Sequence, residues 1–507
     1  MRKLILYISC MVLTMMVICC NKDFLKEDPK GSLALANFYK TGADLDMATT
    51  ALYSLLNAPV NQSDGFAPLW GGDDVTVVRS GNKNTWSDFD TYQPNSSNPG
   101  MTYWWNSFYA VIKSCNALLG RYENAVEASE EERNQAAGQA YFIRALSYFY
   151  LTRTWGEIPL VTEAKVDFDI NKSTPAEVYQ LIVSDLQSAE QLLPNQWTGN
   201  RRQSGIDVAP TVGSAKALLA NVYLTMAGWP LKQTNNYTLA AQKAKEVIDN
   251  SGTWGYQLLP NFSDLWRKEA KYNAETVFGC YFNAEVPNAF DNNSGNARPM
   301  SFVAEEEGGW GDGYGEINFY KNFPAGPRKD ATYQSSYYVN NDPNDVVGWP
   351  QTVKRHPFFF KYRNNESYDA LTHYNDSWID GRTVYMIRFA EVLLTYAEAQ
   401  SMSASPDNGA YNAINQVRNR AGLNDLTTGL SQQDFRDSVL AERSWEFAGV
   451  EPGGARWFDL LRTETVGKAN ADRDPSEEAF KNIPSDIDHT FYWAPAPVQD
   501  KQLNPHL

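Results

Sequence analysis

The sequence predicts a mainly α fold: a scaffold of repeated helix pairs, long irregular loop regions and little β. Three observations carry that expectation. Between Val384 and Gly422, Ile387, Ala390, Leu394 and Ala397 recur at helical spacing. Phe389, Val392, Leu393 and Tyr396 make the other faces apolar as well, the mark of a buried helix. Ser405-Pro406-Asp407-Asn408-Gly409 breaks the run. A second helix follows, with Tyr411, Ile414, Val417 and Ala421 on one side and Gly422 as a fitting C-cap. The whole is an αα-hairpin with alanines where the helices must approach. Second, the unit recurs. Ser214 to Gly228 pairs with Tyr237 to Ile248, and a looser copy joins Ala136 to Gly156 with Pro175 to Leu193. Third, residues 57–100 and 282–383 mix rings with Gly, Asn and Asp and show little periodicity. Loops of that length are usually functional.

Helix pairs of this size are similar to tetratricopeptide units. Periodicity alone leaves a plain helical bundle as an equal alternative. The one strand-like run is ETVFGCYF, around Cys280.

From the N-terminus, Arg2 and Lys3 precede an apolar run to Ile18, the pattern of a secretory signal over residues 1–19. It is short for a membrane span, which needs about 20 apolar residues. Val17-Ile18-Cys19-Cys20 resembles a bacterial lipobox with Cys20 as the lipidated residue. Acyl chains there would give a durable membrane anchor, each buried CH₂ contributing ~0.8 kcal/mol. Of the later cysteines, Cys115 lies in a helical pattern and Cys280 in the strand-like run. An exported compartment permits a disulfide, but two buried free thiols is the preferred reading. Helices are expected at Thr41 to Leu56 and Thr102 to Leu119.

No linker or charge block divides residues 20–507, so they read as one domain. Helical parts and helix pairs fill residues 36–250, with 57–100 as a loop-rich insertion. Residues 282–383 form the second insertion, and 384–507 hold a C-terminal helix pair and tail. A net charge of −16 argues against a nucleic-acid partner. The four histidines, His356, His373, His489 and His506, show no metal-ligand spacing. No CxxC, GxSxG or phosphate-binding glycine loop occurs. Neither a cofactor nor a metal site is expected, and no enzyme. Arg388, Glu391 and Glu398, with Arg418, Glu442 and Arg443, read as buried ion pairs locking helix to helix, because an unpaired buried charge is costly.

Several segments together resemble the RagB/SusD family of outer-membrane nutrient-binding lipoproteins. They are Cys20-Asn21-Lys22-Asp23-Phe24-Leu25, Glu27-Asp28-Pro29, Asn37-Phe38-Tyr39 and RALSYFYLTRTWGEIPLV from Arg144. Then come IRFAEVLLTYAEA, INQVRNRAGL, AERSWEF and RWFDLLR between Ile387 and Arg462, and the close YWAPAPVQDKQLNPHL. Their order spans the mature chain. One departure is Val450-Glu451-Pro452-Gly453-Gly454-Ala455 before RWFDLLR, where the family commonly has a shorter Glu-Gly link. The resemblance implies a SusD-like, tetratricopeptide-like helical scaffold under a ligand-binding face. It also implies an outer-membrane lipoprotein that binds glycans and delivers them to a TonB-dependent SusC-like transporter.

A protein binds a neutral sugar by laying aromatic rings under its C–H face and aiming polar groups at its hydroxyl rim. The first loop offers Asp73, Asp74, Arg79, Trp86 and Tyr92. The second offers Trp310, Tyr314 and Trp349. Trp86 and Trp310 are expected to meet on one exposed face. Asp73 and Asp74 are adjacent, so their side chains should point apart rather than form a hydrolase pair. Asp312 and Glu316 lie among glycines, where no helix is assured. The competing readings are a peptide-binding helical-repeat adaptor and a purely structural lid for the transporter.

Overall fold

The computed structural model describes residues 38–61, 64–77, 83–165, 168–289, 293–342, 344–363, 380–477 and 489–507. The signal segment, Cys20, Arg79, Tyr368, Tyr374 and Trp378 lie outside the described residues.

Helix α1, Gly42–Asn57, starts where the sequence asks. Thr41 accepts from the Asp44 N–H at 3.1 Å and Asp44 accepts from the Thr41 N–H at 2.9 Å, a reciprocal cap. Helix α2, Pro99–Leu119, opens on Asn98 with proline in its first turn, where no N–H is needed. Helix α3, Glu130–Trp155, and α4, Pro175–Leu192, both carry the same reciprocal cap, through Ser129/Glu132 and Thr174/Glu177. Then come α5, Val212–Ala227, α6, Asn236–Asp249, α7, Phe389–Ser403, α8, Asn408–Arg420, and α9, Gln432–Glu446.

Each helix packs on the next in order from α2 to α6, and α6 then packs on α7, which meets α8 and α9. That stacking decides between the two scaffold readings in favour of repeated helix pairs. The chain leaves the stack after α6 and re-enters it at α7. In α7 nearly every side chain from Phe389 to Ala399 is buried, as its all-round apolar pattern requires. Each fully buried Leu there contributes about 1.5–3 kcal/mol.

The hairpin's first residues are a correction. Val384–Arg388 is a strand, β2, paired antiparallel with β1, Thr276–Cys280. Val384, Tyr385 and Ile387 suit a buried strand. Arg388 is held extended at the head of α7 (φ −109°, ψ 156°) by 2.7 Å ion pairs to Glu275, Glu446 and Glu451. The strand-like reading around Cys280 holds, and Cys115 and Cys280 are both free and buried.

The ion-pair reading also holds. Glu398 takes a two-pronged contact from Arg462 at 2.5 and 2.7 Å, Arg418 reaches Glu442 at 3.1 Å, and Arg443 reaches Asp459 at 2.7 Å. Glu391 is the exception, 3.8 Å from Arg443. Residues 57–100 are more structured than a loop. They form short helical turns at Ala58–Val60 and Asp64–Leu69 and a helix at Asn84–Asp90, because Trp70, Phe89 and Tyr92 join the core.

Candidate functional site

A seam of rings joins the two loop regions into one body. Trp70, fully buried, packs 5.8 Å from Trp86 and stacks on Phe302 at 5.3 Å. Phe302 meets Phe359 edge-on at 5.7 Å, Phe359 stacks on Tyr333 at 5.2 Å, and Tyr333 meets Tyr320 edge-on at 5.0 Å. Trp349 closes the seam, 6.1 Å from Tyr320. Offset and edge-on pairs of this kind each contribute about 0.5–1.5 kcal/mol beyond area burial. Gly313 is required here, since a Cβ would collide with the Trp70 ring. A two-residue antiparallel bridge, Val75–Thr76 with Tyr314–Gly315, clips the loops together beside it.

Beside this seam the two loop regions form a rim that is buried at Asp312 and open at Trp310 and Val353. Lys83 of the first loop region forms an ion pair with Asp312 of the second. Two residues earlier the Trp310 ring is 40% exposed, its backbone held by the Met300 carbonyl at 2.9 Å. The Glu305–Glu307 turn borders it. There Glu305 pairs with Lys354 at 3.0 Å, Glu306 accepts from the Val353 N–H, and the Val353 side chain is 69% exposed. Trp349, half-buried, flanks the same turn through a small cluster around Ala304. An exposed indole ringed by charged donors and acceptors is the arrangement that sugar stacking needs.

The two loops therefore meet as expected, but Trp86 does not face outward with Trp310. It is only 6% exposed, turned onto Trp70 with Lys83 over its ring at 5.7 Å. Trp86 and Phe89 lie three apart on a short helix, so one inward face takes both. Tyr92 is likewise core, stacked on Trp457 at 5.5 Å and donating to the Gly71 carbonyl at 3.1 Å. Tyr314 is buried 4.3 Å from the His356 ring. The expectation of a ligand-facing role is corrected for all three.

Asp73 and Asp74 do point to different partners. Asp73 makes a two-pronged pair with Arg456 at 2.6 and 3.1 Å. Burial pushes its carboxyl up, but Arg456 outweighs this and holds it below the usual range. Asp74 accepts from the Gly449 N–H at 2.6 Å, and burial, then Asp73, raise its carboxyl. Both are fixtures of the frame rather than free ligand contacts. Glu316 is no partner for Asp312: it caps the Ile317–Asn322 helix through the Phe319 N–H at 2.6 Å and also accepts from Asp474 N–H at 2.6 Å. Glu307, in the same turn as Glu305, is buried and pairs with Arg363 at 3.1 Å. The rim residues Lys83, Glu305 and Lys354 carry no pattern that sequence could have flagged. Among the described residues no cluster of His, Cys, Asp or Glu is arranged to hold a metal ion, and no helix is long and apolar enough to cross a membrane.

Residues 240–507 match the model of the SusD family, and residues 23–224 match a SusD-like family described as starch-binding and associating with the outer membrane. The chain belongs to the SusD family. It is 26% identical to SusD-like protein P2 of Formosa agariphila, over 94% of each chain. Its fold is similar to that of a SusD homolog from Bacteroides thetaiotaomicron, with TM-score 0.78, 21% identity, and 95% and 99% of the two chains covered. It is also similar to a laminarin-binding SusD-like protein, with TM-score 0.73, 23% identity, and 92% and 98% covered. These likenesses establish the mainly α SusD-like scaffold.

Proposed function

We propose that this SusD-family chain is a non-catalytic glycan-binding protein of the cell surface. It captures an oligo- or polysaccharide and delivers it to a TonB-dependent SusC-like transporter. The observation that carries the reading is the exposed Trp310 ring, set in a rim of charged pairs over a rigid aromatic seam. A pyranose laid on that indole keeps its C–H face dry and turns its hydroxyls to Glu305 and Lys354, with Lys83 behind them. Trp349 is the further contact from the second loop region. The laminarin-binding neighbour supports the ligand class. The carboxylates near the face are tied into ion pairs or backbone contacts, which favours binding over hydrolysis. Acylation of Cys20 would tether the chain to the outer membrane, in keeping with the family description.

The test is a glycan array with the mature chain, followed by calorimetry on each hit. Trp310→Ala should weaken binding at least tenfold and leave the melting temperature nearly unchanged. Release of reducing ends that disappears on a single carboxylate substitution would overturn the non-catalytic reading. Unchanged affinity in Trp310→Ala would overturn the assignment of the face.

A further inference from the structure

We propose a second saccharide site, remote from Trp310, in the cleft between α9 and the segment from Arg456 to Arg473. The ligand class rests on the glycan reading above; the place does not. The cleft measures about 340 Å³, and its walls come from α9, the Ile317–Asn322 helix and residues 456–473. That is the lower end of ligand clefts, which run about 300–1,000 Å³, and it suits one or two sugar rings rather than a long chain.

Trp445 supplies the stacking surface. It is half-buried, packed on the core along one side and open to the cleft on the other. Its indole N–H makes no hydrogen bond among the described residues, and its ring no aromatic contact. Among the core tryptophans, Trp155 and Trp197 donate to carbonyls at 3.1 and 2.9 Å, while the N–H groups of Trp70, Trp104 and Trp266 are sealed in the interior without an acceptor among the described residues. The Trp445 N–H is not among the buried, sealed donors, so a ligand in the cleft can reach both the ring and its N–H.

The polar groups around it are placed for hydroxyls. Arg456 spends Nε and Nη2 on Asp73 at 2.6 and 3.1 Å. That clamp fixes the guanidinium and leaves Nη1 without a partner among the described residues. Lys468 and Asp472, four apart, stand exposed at the rim, and neither side chain has a partner among the described residues. Two donors, Arg456 Nη1 and Lys468, and the Asp472 carboxylate thus stand around an apolar ring face. Charge selects the ligand further. Arg456 is neutralised by Asp73, Arg473 by Asp90 at 3.0 Å, and Lys468 stands beside Asp472. Glu316 and Asp437 add two more carboxylates to the walls, so the lining disfavours an anion, and a neutral sugar meets no such penalty. The frame is also rigid, because the ion pairs that hold it are buried, so little ordering cost falls on binding.

The experiment is calorimetric titration of the mature chain with laminarihexaose, maltohexaose and xyloglucan heptasaccharide. At least one should bind with two sites per chain. Trp445→Ala should reduce two sites to one, Trp310→Ala should remove the other, and the pair together should abolish binding. Asp472→Ala, at an exposed position, should weaken the same site as Trp445→Ala and serves if the tryptophan variant misfolds. One site per chain, lost in Trp310→Ala and untouched by Trp445→Ala and Asp472→Ala, would overturn the second site and leave the glycan reading standing. No binding of any of the three would overturn both.

Discussion

Glu391 offers the sharpest test of the energetics. It sits on α7, fully buried, in a helix whose other carboxylate, Glu398, is clamped by Arg462. Glu391 lacks such a clamp. Its Oε1 lies 3.8 Å from Arg443, which is already committed to Asp459 at 2.7 Å, and its Oε2 has no hydrogen-bond partner among the described residues. Burial pushes its carboxyl from 4.5 up to about 8; Asp459 adds to this, and Arg443 pulls the other way. The sign follows from the order of the two values. Above pH 4.5 the unfolded chain releases the proton while the fold keeps it, so stability falls as pH rises until the folded group also titrates. Each unit is about 1.4 kcal/mol, so between pH 4.5 and 7 the fold loses about 3 kcal/mol through this group. Glutamine has the shape of the protonated acid and does not titrate. Glu391→Gln should therefore match the parent at pH 4.5 and exceed it by about 3 kcal/mol at pH 7. Urea unfolding at pH 4.5, 5.5, 6.5 and 7.5, followed by tryptophan fluorescence, reads this directly. A difference that does not change with pH, or a Glu391→Gln chain less stable at pH 7, would refute the reasoning.

Two further changes probe the frame. Gly313→Ala should destabilise by about 1–3 kcal/mol through overpacking against Trp70, and a cycle with Trp70→Phe should show coupling above about 0.5 kcal/mol; additive effects would mean that the ring and the glycine are independent. Arg462→Met takes the two-pronged clamp from buried Glu398, leaving it Arg436 at 3.5 Å, while Asp459 keeps Arg443 at 2.7 Å; it should cost about 3–5 kcal/mol in urea unfolding, whereas a loss below about 1 kcal/mol would mean that the clamp contributes only orientation.

The scaffold was legible because its signals are local. Caps such as Thr41 with Asp44 and Ser129 with Glu132 lie three residues apart, and α7 announces its burial in its own composition. The strand β2 was missed because Val384 to Arg388 is apolar in a way that suits either a buried helix or a buried strand. Its partner, Thr276–Cys280, lies more than a hundred residues upstream. Asp73 and Asp74 illustrate the same limit more strongly. Their partners, Arg456 and Gly449, stand 383 and 375 residues away, so their structural role is invisible in any window of sequence.

The loops were recognisable as loops, but a ring's direction was harder to read. Trp86 and Trp310 both sit among Gly, Asp and other polar or charged residues, and composition treats them alike. The difference lies in what the backbone does. Asn84–Asp90 is helical, so Trp86 and Phe89 share a face and are drawn inward together. Around Trp310 the chain runs Gly308-Gly309-Trp310-Gly311. Gly308 and Gly311 take positive φ, 81° and 54°, and a Cβ on Gly309 would strike the Val303 backbone. The glycines on either side of Trp310 bring no side chains of their own over its ring, and the backbone beneath it packs tightly. That combination keeps a large apolar ring in water on a fixed support. Contiguous apolar surface of that kind is a liability unless something covers it, and the charged rim of Lys83, Asp312, Glu305 and Lys354 fits a hydroxylated ligand better than a second protein core.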